Sequence, residues 1–244
     1  MKTWEYIAEE IRQKNLKEHE NLILSESYIL QMFKDFDAYW SYEGEPCSGM
    51  PHAELTSGLC SNGYFNCSKV LKDPRANEIL AHQLVKKLKE EGLEKVDWVV
   101  GSPYAAITFS YEVAKAFGAN HGFTEKDSRN PKKMIWKRFS IPKKAKVLQI
   151  EELITTSGTM KEVRRAVFTG NRKRVTFLPI VGSLVHRPQK LPVDYGDIKV
   201  VALVEKEIQT FEPKECPYCR VGSKRYRPKT NWRELTENFI HFIH

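Results

Sequence analysis

Residues 146–160, KVLQIEELITTSGTM, decide how this chain is to be read. Val147, Leu148 and Ile150 form an apolar strand pattern that runs into two consecutive acids, Glu151 and Glu152. Thr155, Thr156, Ser157, Gly158 and Thr159 follow as a run of small hydroxyl residues and glycine, and KEVRRAV then reads as a helix. A strand, an acidic corner, a small-residue loop and a helix start together suit a sugar phosphate. Backbone N–H groups at the helix N-terminus point at the anion, and the helix dipole favours negative charge there. Small residues let a phosphate approach the backbone, and the two carboxylates accept hydrogen bonds from sugar hydroxyls. A plain strand-to-helix turn with a Ser/Thr cap and solvated acids uses the same residue types. The composition of the loop favours the phosphate reading.

Outward from this stretch the pattern repeats. Asp73-Pro74 is a helix start, with an N-cap followed by proline at the first helical position. Ala76, Leu80, Leu84 and Leu88 recur at four-residue spacing beside Ile79, and the helix stops at Gly92. Residues 96–100 form a short buried strand ending in GSPYAAI, and 105–117 a helix rich in small residues. On the other side, 174–185 (RVTFLPIVGSLV) reads as a third buried strand ending at His186-Arg187, and 198–204 as a further one. Strand–helix alternation implies an α/β fold with a parallel twisted sheet flanked by helices, and ligands outside the carboxyl ends of the strands. That rule gathers 102–107, 151–159 and Arg187 at one edge.

The remaining segments are less regular. Trp4, Ile7 and Ile11 mark a helix over 4–14, and Ile29, Phe33, Phe36 and Trp40 a second over 27–40. GEPCSGMPHAELTSGLCSNGY breaks regular structure and leads into a short hairpin over 54–67. Residues 121–146, rich in Lys and Arg with two prolines, read as an exposed mobile loop or ribbon. Cys216 and Cys219 have the spacing of half a zinc site; Cys47, Cys60, Cys67 or a histidine would have to complete it. The basic cluster Lys224, Arg225, Arg227 and Lys229 reads as solvated surface. The chain divides into N-terminal helices and a hood segment (1–70), an α/β core (71–205) and a Cys-containing basic tail (206–244), in one compact domain.

With 244 residues, 41% of them hydrophobic, a sizeable core forms and global disorder is excluded. Five cysteines without a signal peptide or an apolar run long enough to span a bilayer imply a reduced, cytoplasmic setting and no membrane. A net charge of +8 suits a polyanionic ligand.

VLQIEELITTSGT resembles the ribose-phosphate motif of type I phosphoribosyltransferases, where a hydrophobic strand leads through two acids into a Thr/Gly phosphate loop. HAELTSGLCSNGYF (52–65) resembles the N-terminal substrate segment of orotate phosphoribosyltransferases, VDWVVGSPYAAI their pyrophosphate loop, and LVHRP the strand end that brings an arginine to the base. The matches keep the family's order over roughly 50–190. The resemblance implies that fold, with a small hood from the terminal segments. It also implies transfer of ribose 5-phosphate from phosphoribosyl pyrophosphate to a nucleobase, with Mg²⁺, in a homodimer. Thr155, Thr156, Ser157, Gly158 and Thr159 would hold the 5-phosphate, and Ser102, Pro103, Tyr104 and Ala105 the pyrophosphate. Tyr64 and Phe65 would flank the base, and Arg187 would pair with a carboxylate such as that of orotate. Glu151 and Glu152 would serve catalysis together with Lys126, Lys132 and Lys133 of a lid over 126–138. A structural zinc at Cys216 and Cys219 stands beside Mg²⁺ as the second metal expectation. The chain departs from the family at Glu152 (usually aspartate), at Glu125 (a cation) and at Thr56 (commonly lysine). Those departures motivate the alternatives: a phosphoribosyl-pyrophosphate-binding regulator without turnover, or transfer to another base. A nucleic-acid-binding module is the less favoured third reading, since the basic runs carry no recognition signature.

Overall fold

The computed structural model describes residues 23–237 together with Glu5 and Glu9. From the N-terminal side the elements are α1 (Glu26–Asp35), β1 (Tyr39–Ser41), β2 (His52–Glu54), β3 (Cys60–Ser61), β4 (Gly63–Phe65), α2 (Cys67–Leu71), α3 (Pro74–Glu90) and β5 (Trp98–Gly101). Then come α4 (Ala105–Phe117), β6 (Asn120–Phe123), β7 (Glu125–Lys126), β8 (Met134–Ile135), β9 (Lys146–Ile154) and α5 (Gly158–Gly170). The last are β10 (Thr176–His186), β11 (Lys199–Glu205), β12 (Thr210–Phe211), α6 (Pro217–Arg220), β13 (Arg225–Tyr226) and α7 (Trp232–Thr236).

Local chemistry sets the long elements. Asp73 caps α3 by accepting from the N–H groups of Arg75 and Ala76 at 3.0 and 3.2 Å, with Pro74 behind it. Gly92, at φ +81°, takes the left-handed turn that ends the helix region. Leu80, Leu84 and Leu88 are fully buried against the sheet, each contributing about 1.5–3 kcal/mol relative to exposure. Gly182 of β10 permits this close approach: a Cβ there would lie 2.6 Å from Ile150 Cδ1 and 3.2 Å from Leu84 Cδ2.

The central sheet is parallel, in the order β11-β10-β9-β5-β6. Chain order reverses direction at the β5/β9 boundary, the topological switch point where α/β sheets open a crevice at their carboxyl ends. Leu148 and Ile150 join the core under α3 and α4, whereas Val147 joins Val163, Ala166 and Val167 of α5 on the other face. Pro179 sits inside β10 because the ladder to β9 shifts register between Phe177 and Val181, a bulge that needs no donor there. A second, four-stranded sheet, β12-β3-β2-β13, forms the hood, and β1 pairs with β4 beside it.

Three expectations are corrected. The helix expected over 27–40 ends at Asp35; Asp37 turns at φ +52°, and Trp40 lies in β1 paired with Tyr64. Residues 121–146 are not simply an exposed loop. They supply the edge strand β6 and the β7–β8 hairpin, and Met134, Trp136 and Ile141 are buried beneath α5. Lys229 is not merely solvated surface, since it lines the cleft described below. The expected helix over 4–14 lies outside the described residues, Glu5 and Glu9 excepted. Leu84→Ala should cost about 2–5 kcal/mol in urea unfolding, with the denaturant dependence unchanged; a loss under 1 kcal/mol would show that α3 is not tightly packed on the sheet.

Candidate active site

The pleat of β9 sends its two acids different ways. Side chains alternate along a strand, so Gln149 and Glu151 share one face and Glu152 the other. Glu151 is 1% exposed. Ser102 Oγ, from the end of β5, donates to its Oε2 at 2.5 Å, and Gln149 Nε2 donates to its Oε1 at 2.7 Å. Gln149 is itself held by Arg164 Nε of α5 at 3.0 Å. Burial drives the Glu151 pKa up to about 8, and the neighbouring Glu152 adds to the rise while Ser102, Gln149 and Lys126 oppose it. Glu152 is raised as well, by burial first, with Lys126 and the Ala106 N–H among the groups that oppose it. Lys126, in β7, is thus the cation that faces the acidic corner.

Two loops open beside these acids. Residues 155–157 connect β9 to α5, whose first turn contains no acidic side chain and whose N-cap, Ser157, makes no side-chain capping bond. The α5 N-terminus is therefore open to an external anion. Across the switch point, residues 102–104 join β5 to α4, with Ser102 buried and the Tyr104 side chain 71% exposed. The Pro103–Tyr104 peptide is cis. A Cβ on Gly101 would meet Ser110 and come within 3.0 Å of the Ala106 carbonyl, so glycine is required for α4 to start this close to the strand.

A cleft of about 390 Å³ lies on the Glu152 side. Tyr64, Phe65 and Cys67 line one wall, Glu152 and Arg187 another, and Leu55, Thr56 and Lys229 its hood side. Cys67 Sγ donates to the Glu152 carbonyl at 3.3 Å. Arg187 is anchored through its backbone N–H to the Ile154 carbonyl at 2.8 Å, but its buried Nε has no hydrogen-bond partner. Burial lowers its pKa, with Cys67 and Tyr64 opposing. A guanidinium held this way is a receptor for a planar anion.

The lid expectation divides. Met134 N–H donates to Glu162 at 2.7 Å, Arg165 donates to the Met134 carbonyl at 2.9 Å, and Asn171 brackets Ile141 with bonds of 2.8 and 3.0 Å. The base of the segment is therefore clamped to α5, and the turn 127–133 projects from it. Lys132 and Lys133 lie exposed on that turn and do not line the cleft. Glu125 pairs with Lys137 at 3.2 Å and Arg138 at 2.7 Å, which accounts for an acid at that position and engages both cations. Cys216 and Cys219 lie in the hood, apart from the cleft lining.

Sequence reasoning missed Gln149, Cys67 and Lys229. Alternation along β9 was a usable signal for Gln149; nothing local marks Lys229, which reaches the cleft from a segment folded back across the hood.

The Glu151 environment has a measurable pH signature. Between an ordinary glutamate value near ~4.3 and about 8, the folded chain retains a proton that the unfolded chain releases. Its contribution to stability is full at low pH and is lost as pH rises through this window, by on the order of a few kcal/mol. Glu151→Gln should gain melting temperature relative to the parent from pH 5 to pH 8, by roughly 5 °C or more. A difference independent of pH would contradict the buried, protonated carboxyl.

Residues 68–220 match the family described as the phosphoribosyl transferase domain. The chain is 35% identical over 177 residues to the orotate phosphoribosyltransferase of Pelotomaculum thermopropionicum, covering 72% of this chain and 87% of that one. It is 31% identical over 205 residues to that of Caldicellulosiruptor bescii, covering 84% and 97%. With the parallel sheet, the switch-point loops and the acidic corner already in view, the match over 68–220 leads to one conclusion: the chain belongs to the phosphoribosyltransferase family, enzymes of glycosyl transfer.

Proposed function

We propose that this chain transfers ribose 5-phosphate from phosphoribosyl pyrophosphate to orotate, releasing pyrophosphate, in pyrimidine nucleotide biosynthesis. The observation that carries the choice of base is Arg187, a half-buried arginine in the cleft beside Tyr64 whose buried Nε has no partner among the described residues. A buried N–H donor without a partner is costly, and a planar carboxylate on the base offsets that cost with two charge-assisted hydrogen bonds. An uncharged base leaves the penalty in place.

Within this reading, Thr155, Thr156, Ser157, Gly158 and Thr159 hold the 5-phosphate at the α5 N-terminus, and Ser102, Pro103, Tyr104 and Ala105 line the pyrophosphate. Tyr64 and Phe65 flank the base. The C–O bond to pyrophosphate breaks as the bond from the base nitrogen to the sugar carbon forms, and the ring N–H proton of the base is released to solvent. Catalysis is mainly positioning and electrostatics, because positive charge grows on the sugar while negative charge departs. Glu151 suits that demand: a carboxyl kept neutral by burial becomes more acidic when positive charge approaches. Glu152 engages the ribose from the base side, and Lys126 answers the negative charge at the acidic corner. Lys132 and Lys133 on the projecting turn would close over the site, reaching a neighbouring subunit in a homodimer. Lys229 supplies at the cleft the cation that Thr56 does not.

Glu152 beside hydroxyl-rich loops is a donor set that suits Mg²⁺, which binds through one or two carboxylates together with substrate phosphates and water. Such an ion neutralises pyrophosphate oxygens. None of the five cysteines is in a disulfide, and no described helix is long and apolar enough to cross a membrane. A reducing, cytoplasmic setting accords with the first of these.

The full chain with Mg²⁺ and phosphoribosyl pyrophosphate, given orotate, uracil and purine bases in turn, should release pyrophosphate with orotate. Saturable binding of phosphoribosyl pyrophosphate without release on any base would replace this reading with that of a regulator. Arg187→Ala should raise KM for orotate tenfold or more, with little change for phosphoribosyl pyrophosphate. Equal losses for both substrates would remove Arg187 from base recognition.

A further inference from the structure

We propose that the hood holds one structural Zn²⁺, bound by His52 Nε2 and the thiolates of Cys60, Cys216 and Cys219. These four residues come from two distant segments, the β2–β3 hairpin and the α6 region, yet their ligand atoms all lie within 4.8 Å of one another. The spacings are those of a coordination tetrahedron. Zn–S bonds of about 2.3 Å and Zn–N bonds of about 2.05 Å at tetrahedral angles put two sulfurs ~3.8 Å apart and a sulfur and nitrogen ~3.6 Å apart. Cys60 Sγ to Cys219 Sγ is 3.6 Å, and His52 Nε2 lies 3.6 Å from Cys216 Sγ and 3.5 Å from Cys219 Sγ. A disulfide needs an S–S distance of about 2.05 Å, so the thiols are arranged around a point rather than bonded to each other.

The surrounding hydrogen bonds select the ligating form of histidine. Ser223 Oγ donates to the Met50 carbonyl at 2.5 Å and so accepts from His52 Nδ1–H at 2.8 Å. Nε2 is left with its lone pair directed at the sulfurs, as in metal sites where a second partner fixes the tautomer. His52, Cys60 and Cys216 are fully buried, and Cys219 is partly so. Four protein ligands leave no open position, which makes the ion structural rather than catalytic.

The fold gives such an ion a task. The hood core is a small separate cluster around Trp40, Tyr42, Tyr64 and Tyr218, and a core of that size needs a staple. β13 joins β2 through only two registered pairs, Arg225 with His52 and Tyr226 with Ala53. The ion would lock this short seam, fixing the segment that carries Lys229 against the hairpin that carries Thr56. The metal assignment stands on the cluster alone; only the link to Lys229 rests on the proposed reaction.

The full-length protein, purified under reducing conditions and dialysed against a weak chelator, should contain about one zinc per chain by elemental analysis. A mercurial thiol titrant should release it stoichiometrically to a colorimetric chelator. Cys47→Ser, which removes the exposed thiol outside the cluster, should leave the zinc content unchanged, whereas Cys60→Ser and Cys216→Ser should lose most of it. Should those variants fail to fold, the cobalt-exchanged parent protein decides: intense thiolate-to-cobalt charge-transfer bands are expected. Parent protein that retains no zinc and shows no such bands overturns the proposal, as does full zinc retention in a folded Cys60→Ser, Cys216→Ser double variant.

Discussion

The arrangement depends on one buried hydrogen bond, from Ser102 Oγ to Glu151 Oε2 across the boundary between β5 and β9. That boundary is where the strand order reverses, so it is the one place where loops from adjacent strands diverge and leave a crevice. A carboxyl placed there without a donor would be expensive to bury. Ser102, Gln149 and, behind Gln149, Arg164 form a polar network around Glu151 that ties both strands to α5. The same network orients the two loops that the proposed chemistry uses.

The pleat of β9 then divides labour between adjacent residues. Glu151 turns toward Ser102 and Gln149, whereas Glu152 lines the cleft with Tyr64 and Arg187. Two like charges side by side suppress each other's ionisation; burial and the neighbouring Glu152 push Glu151 toward its neutral form, while Lys126 opposes that rise. The Glu152 side chain lines the cleft and stays within reach of the Ala106 N–H and Ser102 at the start of α4.

Much of this was legible in the sequence where cause is local. Asp73-Pro74 and Gly92 bracket α3 because caps and turns are short-range chemistry, and the small-residue run at 155–159 marks its own loop. Failures occurred where tertiary pairing overrides periodicity. Trp40 continues a helical spacing from Ile29, yet Asp37 breaks the helix and strand pairing with Tyr64 claims it. β6 is the four residues Asn120–Phe123, too short and polar to read as a strand without Trp98–Gly101 beside it. Buried anchors Met134, Trp136 and Ile141 are scattered among lysines, so charge concealed them. His52 and Cys219 are 167 positions apart, and no spacing rule brings such a pair together.

The hood and the core are thus joined by different physics: the core by apolar burial under α3 and α5, the hood by a short seam and a cysteine–histidine cluster. Between them lies the cleft, bounded on the core side by the acidic corner. The claim on which the account rests is that Glu151 holds its proton there at neutral pH. Infrared difference spectroscopy between the parent protein and Glu151→Gln measures this directly. The account predicts a protonated-carboxyl C=O band at pH 7 in the parent that is missing from the variant and fades as pH passes about 8; a carboxylate signal at pH 7 in its place would contradict it.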